Sequence, residues 1–131
     1  NIVMQSQKIL TCISSDEEIA KECARLLAES ANHAQSEVLL FHCFSNNPGG
    51  KSAVRVAAVQ TAMEILDDAN IEYQTIEDSG DPASRILAAE KEYEPDFILL
   101  GKSRRSTADK TLFGSVTERV MKETTSPVIY V

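Results

Sequence analysis

Apolar residues in this chain fall into two alternating kinds of stretch. Lys8 to Ile13, Val38 to Phe44, Phe97 to Leu100 and Val128 to Val131 are nearly continuous apolar runs. Runs of this length without strict alternation suit strands of a parallel sheet buried on both faces. Ile71 to Glu77 alternates apolar with polar positions and reads as a more edge-like strand. Between the runs, apolar residues recur at helical spacing. Ile19, Cys23, Leu26 and Leu27 give one stripe, and Ala58, Ala62, Ile65, Leu66 and Ala69 give another within a long helix from Ser52 to Ala69. Ile86, Leu87 and Ala89 mark a third helix, which stops before Pro95, and a fourth, amphipathic helix follows Gly114-Ser115. Strands alternating with helices imply a parallel sheet covered on both faces, joined by right-handed crossovers.

The boundaries carry their own signals. Ser15 and Glu18 form an S-x-x-E capping sequence, and Asp16-Glu17-Glu18 place negative charge at a positive helix end. Asn46 to Gly50 is a loop by composition. Asp81 can cap the third helix, with Pro82 at its first position. Ser115 and Glu118 repeat the capping sequence, and Gly114 just before them can bring bare backbone close to a ligand. A helix start with exposed amides beside a glycine suits an anion.

Composition narrows the classes. A chain of 131 residues, 43% hydrophobic and 25% charged, is one ordinary globular domain, 1–131. A net charge of −7 argues against general nucleic-acid or anionic-membrane binding. Lys102, Arg104, Arg105 and Lys110 nevertheless stand against only Asp109 between residues 102 and 111. A basic loop on an acidic body points to a small anionic ligand. Cys12, Cys23 and Cys43 lie in apolar runs without C-x-x-C spacing, as reduced thiols do, so the expected compartment is cytoplasmic. With only His33 and His42 besides, no metal site is expected, and His42 reads as a packed side chain. No run has membrane-spanning length, so no membrane insertion is expected.

Several chemistries fail on spacing. Leu100-Gly101-Lys102-Ser103 resembles the tail of a P-loop, but the first glycine of that motif would fall at Asp96. No G-x-G-x-x-G follows the first strand. Gly114-Ser115 lacks a nucleophile-elbow pattern. A binding module fits better than an enzyme.

Gly101, Gly114 and Ser115, with twelve residues between the glycines, resemble the nucleotide motif of the universal stress protein family. Leu112 to Val120, followed by Ser126 to Val131, is similar to that family's C-terminal block. The resemblance implies an open, doubly wound five-stranded parallel sheet of order 3-2-1-4-5 with four helices. This is the Rossmann-like, adenine nucleotide alpha hydrolase-like form of the α/β class, with its ligand where strands 1 and 4 meet. It also implies a site for ATP or AMP, with or without Mg²⁺, and weak ATP hydrolysis at most. Ile13 and Ser14 would stand at the end of strand 1 and Cys43 beside the adenine. Gly101, Lys102, Arg104, Gly114, Ser115, Val116 and Thr117 would lie about the phosphates. Two positions depart from the motif: Arg104 replaces a glycine, and Ser14 replaces an aspartate that takes the ribose hydroxyls. The resemblance further implies a homodimer through Val128 to Val131. The alternative role is a nucleotide-free dimerisation or adaptor domain, such as the cytoplasmic regulatory part of a transporter.

Overall fold

A computed structural model of the chain describes residues 7–30, 36–101 and 114–131. Its elements are β1 (Gln7–Cys12), α1 (Glu17–Ser30), β2 (Ser36–Phe44), α2 (Ala57–Asp68), β3 (Tyr73–Ser79), α3 (Pro82–Tyr93), β4 (Phe97–Leu100), α4 (Ser115–Glu123) and β5 (Val128–Tyr130). The five strands form one sheet of order β3-β2-β1-β4-β5. Every neighbouring pair is parallel. The expected α/β architecture is therefore present, and its winding reverses between β1 and β4.

Strand periodicity divides the core into two layers. Ile9, Val38, Leu40 and Leu99 face one side, where they pack with Ile19, Cys23 and Leu27 of α1 and Val59, Ala62 and Leu66 of α2. Leu10, Leu39, Phe41, Ile98 and Leu100 face the other, against Ala83 and Ile86 of α3 and Val120 of α4. Successive residues of β1 and β2 thus serve opposite layers, which is why their sequence reads as continuously apolar. Burying each large aliphatic side chain contributes about 1.5–3 kcal/mol. These two layers fix the strand ends on which the cleft is built.

Four boundaries differ from the sequence expectation. The helix read from Ser52 to Ala69 begins only at Ala57, after a separate 3-10 turn at Ala53–Arg55 and an extended Val56. The turn is held from outside: the Glu77 carboxylate of β3 accepts the Ala53 N–H at 2.8 Å. That bond, the largest cause, holds the Glu77 carboxyl below its ordinary pKa. The third strand runs Tyr73–Ser79 rather than Ile71–Glu77, because Ile71 N–H closes the end of α2 on the Leu66 carbonyl. At α1 the cap is Asp16 rather than Ser15: its Oδ1 accepts the N–H groups of Glu18 at 3.0 Å and Ile19 at 3.2 Å. At α4 the cap is Gly114, Ser115 is already helical, and among the described residues no side-chain bond closes the end. The capping of α3 by Asp81 with Pro82 at its start is as expected.

Candidate functional site

A cleft of about 580 Å³ opens off the carboxyl ends of β1, β2 and β4. Its wall is supplied by the turn after β1, the last residues of β2, and the first turns of α3 and α4. Eight of the ten candidate residues line it: Ile13, Ser14, Cys43, Gly101, Gly114, Ser115, Val116 and Thr117. Lys102 and Arg104, with the rest of the basic loop, lie outside the described residues. Chain reversal at β1/β4 brings residues a hundred positions apart onto one surface, as open parallel sheets do.

Three helix starts converge on this cleft, and they are not equivalent. Asp16 closes α1 with its two accepted amides. Asp81 closes α3, accepting the Ser84 N–H at 3.0 Å and the Ser84 hydroxyl at 2.7 Å. Those Ser84 bonds, aided by the Arg119 guanidinium, hold the Asp81 carboxyl below its usual range. Gly114 at the start of α4 has no side chain to offer, and its backbone is extended at φ −66° and ψ 160°. Among the described residues no carboxylate accepts the amides of α4's first turn, whose residues line the cleft. Orphan amides and the positive dipole end of a helix attract an anion.

Gly101 has a second reason to be glycine. A Cβ there would sit 1.9 Å from Cγ2 of Ile19 and 3.4 Å from the Cys23 sulphur. The residue lets α1 close down on the end of β4, so it shapes the cleft floor through packing.

Two thiols border the cleft. Cys43 is half-buried, with its Sγ–H directed at the carbonyls of Gly80 at 3.5 Å and Phe44 at 3.6 Å. Burial, and then the Asp78 carboxylate, push its pKa up. Burial likewise raises Cys12 strongly, reinforced by Cys23 and Cys43, and pushes Cys23 up to about 12. Thiols held protonated are poor nucleophiles and poor metal ligands. Among the described residues no group of three His, Cys, Asp or Glu side chains could hold a metal ion.

Of the lining residues that the sequence did not mark as site residues, three carry titratable side chains. Asp16 counted there only as favourable charge at a helix end, although an aspartate three positions before the first buried helical residue is an ordinary cap. Cys12 was placed among buried thiols, but it lines the opening. His42 is buried, as expected of a packed side chain, and also borders the cleft, with ring Nδ1 2.8 Å from the Ile13 carbonyl oxygen. A lone histidine near the carboxyl end of a buried strand was the only available signal.

Comparison with known proteins agrees with this fold. No curated sequence matches the chain. Among solved structures, a universal stress protein from Archaeoglobus fulgidus is 22% identical with a TM-score of 0.74, over 98% of each chain. Its likeness extends to a structure described as being in complex with dAMP, at 22% identity and TM-score 0.71, covering 97% of this chain and 98% of that one. A universal stress protein family protein from Arabidopsis thaliana, described with AMP bound, is 17% identical with a TM-score of 0.68, covering 95% and 90%. At these identities the likeness establishes the fold. The family model described as the Universal stress protein family matches residues 5–131. The chain belongs to the universal stress protein family.

Proposed function

We propose that this chain is a regulatory module that binds an adenine nucleotide, AMP or ATP, in the cleft between β1 and β4. The observation that carries the reading is the start of α4. Among the described residues it reaches the cleft capped by Gly114 alone, while α1 and α3 are closed by their own aspartates. The phosphates lie against Gly114, Ser115 and the first-turn amides, as helix N-termini receive anions. The base lies toward Ile13 and Cys43, and the sugar near Ser14. A volume of 580 Å³ suits a mononucleotide. Related structures described with dAMP and AMP support the ligand class. The module holds its ligand without turning it over, and Mg²⁺, where it takes part, comes with the phosphates.

Calorimetry on a single substitution tests this. Gly114→Val places a branched side chain where phosphate would sit, at a residue that belongs to neither core layer. Binding of AMP and ATP is expected to disappear while circular dichroism stays unchanged. Undiminished binding would contradict the placement. Arg104→Gly asks the companion question, whether the arginine obstructs the phosphates or contacts them: tighter binding means obstruction, weaker binding means contact.

A second copy of the chain pairs along β5, the sheet edge that carries Ile129 at 37% exposure. The same edge favours the second reading, a nucleotide-free dimerisation adaptor, which takes over if wild type and Arg104→Gly both give no heat at millimolar nucleotide.

A further inference from the structure

The ladder between β1 and β2 ends irregularly at the cleft. The strands pair in register up to Cys12 opposite Phe41, and the next bond, Ile13 N–H to the Phe41 carbonyl, forms at 2.8 Å. A parallel ladder would then bring the Cys43 N–H onto the Ile13 carbonyl. No such bond is made. The Ile13 carbonyl is met instead by Nδ1 of His42 at 2.8 Å. A carbonyl can only accept, so Nδ1 carries the hydrogen and the tautomer follows. The ring is buried and stands edge-on to Phe44, with centroids 4.6 Å apart, so packing fixes its direction. Alternate residues of a strand address the same neighbour. The Phe41 carbonyl bonds toward β1 and that of Phe44 toward Gly80 beyond β3, so the Cys43 N–H faces β1, above Ile13. Ile13 and Cys43 both line the cleft.

We propose that His42 is a positioning residue: by engaging the Ile13 carbonyl it keeps the exits of β1 and β2 from zipping together and presents the Cys43 N–H to an acceptor atom of the ligand's base. The inference rests on the nucleotide reading for its ligand, while the backbone arrangement it describes exists without one. His42 need not touch the ligand at all. The side chain works by occupying an acceptor that a backbone donor would otherwise take.

Amide hydrogen exchange and calorimetry separate the two. In free wild-type protein the Cys43 amide exchanges as an unprotected one, and AMP slows it. In His42→Phe the Ile13 carbonyl is released, so the Cys43 amide becomes protected without ligand. The preference for AMP over ribose 5-phosphate then falls about tenfold, the loss expected for one hydrogen bond. In His42→Asn the amide nitrogen lies near the place of Nδ1, and both wild-type properties return. That rescue is what a merely space-filling histidine would not give. A slow Cys43 amide in the free wild type would overturn the proposal, even if His42→Phe failed to fold. So would a folded His42→Phe with unchanged exchange and an unchanged AMP to ribose 5-phosphate ratio. Absence of AMP binding by wild type sinks the nucleotide reading instead, and leaves the exchange comparison to decide the role of His42.

Discussion

Gly101 shows how one residue can be legible for an incomplete reason. Its place in a glycine motif marked it as a ligand contact, yet the atom it excludes belongs to Ile19 of its own core, 1.9 Å from any Cβ. Nothing local in the sequence joins positions 19 and 101; the sheet order does. Gly101→Ala must push α1 away from β4, and overpacking of this kind costs about 1–3 kcal/mol. Urea unfolding is expected to show that loss, with nucleotide affinity lowered as the cleft floor shifts. Unchanged stability would mean that α1 yields freely. Asp16 makes the converse case, since a residue legible only as favourable charge at a helix end closes that helix start and borders the cleft.

At the scale of elements, the strands and helices were readable wherever one element's own pattern decided them. The core layers of β1, β2 and β4 follow from their apolar runs, and the start of α3 follows from Asp81-Pro82. The break at Val56 was not readable, because no glycine or proline marks it and the carboxylate that holds the 3-10 turn comes from Glu77 on a distant strand. Glu90 of α3 is a second long-range clasp. Buried on the inner face of its helix, it accepts from the Thr124 hydroxyl at 2.5 Å, the Thr125 N–H at 3.3 Å and the Ser126 hydroxyl, tying α3 to the segment that enters β5. Burial acts to raise its carboxyl, but these donors, Ser126 and Thr124 foremost, outweigh it and hold the pKa below the ordinary value. A depressed carboxylate contributes stability that is complete above the unfolded pKa, about 4.3. That contribution drains as the pH falls through the lower folded value. Glu90→Gln should therefore lose about 1–2 kcal/mol at pH 7, where a charged acceptor is exchanged for a neutral one. It should also show a shallower fall in stability below pH 4 than wild type. Parallel curves for the two proteins would remove Glu90 from the account.

For the whole molecule, alternation of strands and helices gave the parallel sheet, whereas strand order rested on resemblance to a family, because periodicity says nothing about which strands are neighbours. That order decides the function proposed here. It sets β1 beside β4 so that the turn after one faces the glycine turn before α4. It also puts β5 on an edge, with Ile129 outward. An apolar edge of three residues invites a partner strand. Light scattering should report a dimer at micromolar concentration and a monomer for Ile129→Lys, and a monomeric wild type would contradict pairing along β5. The ligand and its place meet their most direct test in a titration of AMP into isotope-labelled protein followed by amide chemical shifts. Saturable shifts are expected, concentrated at Ile13 to Asp16, Cys43, Gly101 and Gly114 to Thr117. Shifts gathered instead about the clasp of Glu90 to Thr124, Thr125 and Ser126, or none at millimolar AMP, would contradict that placement.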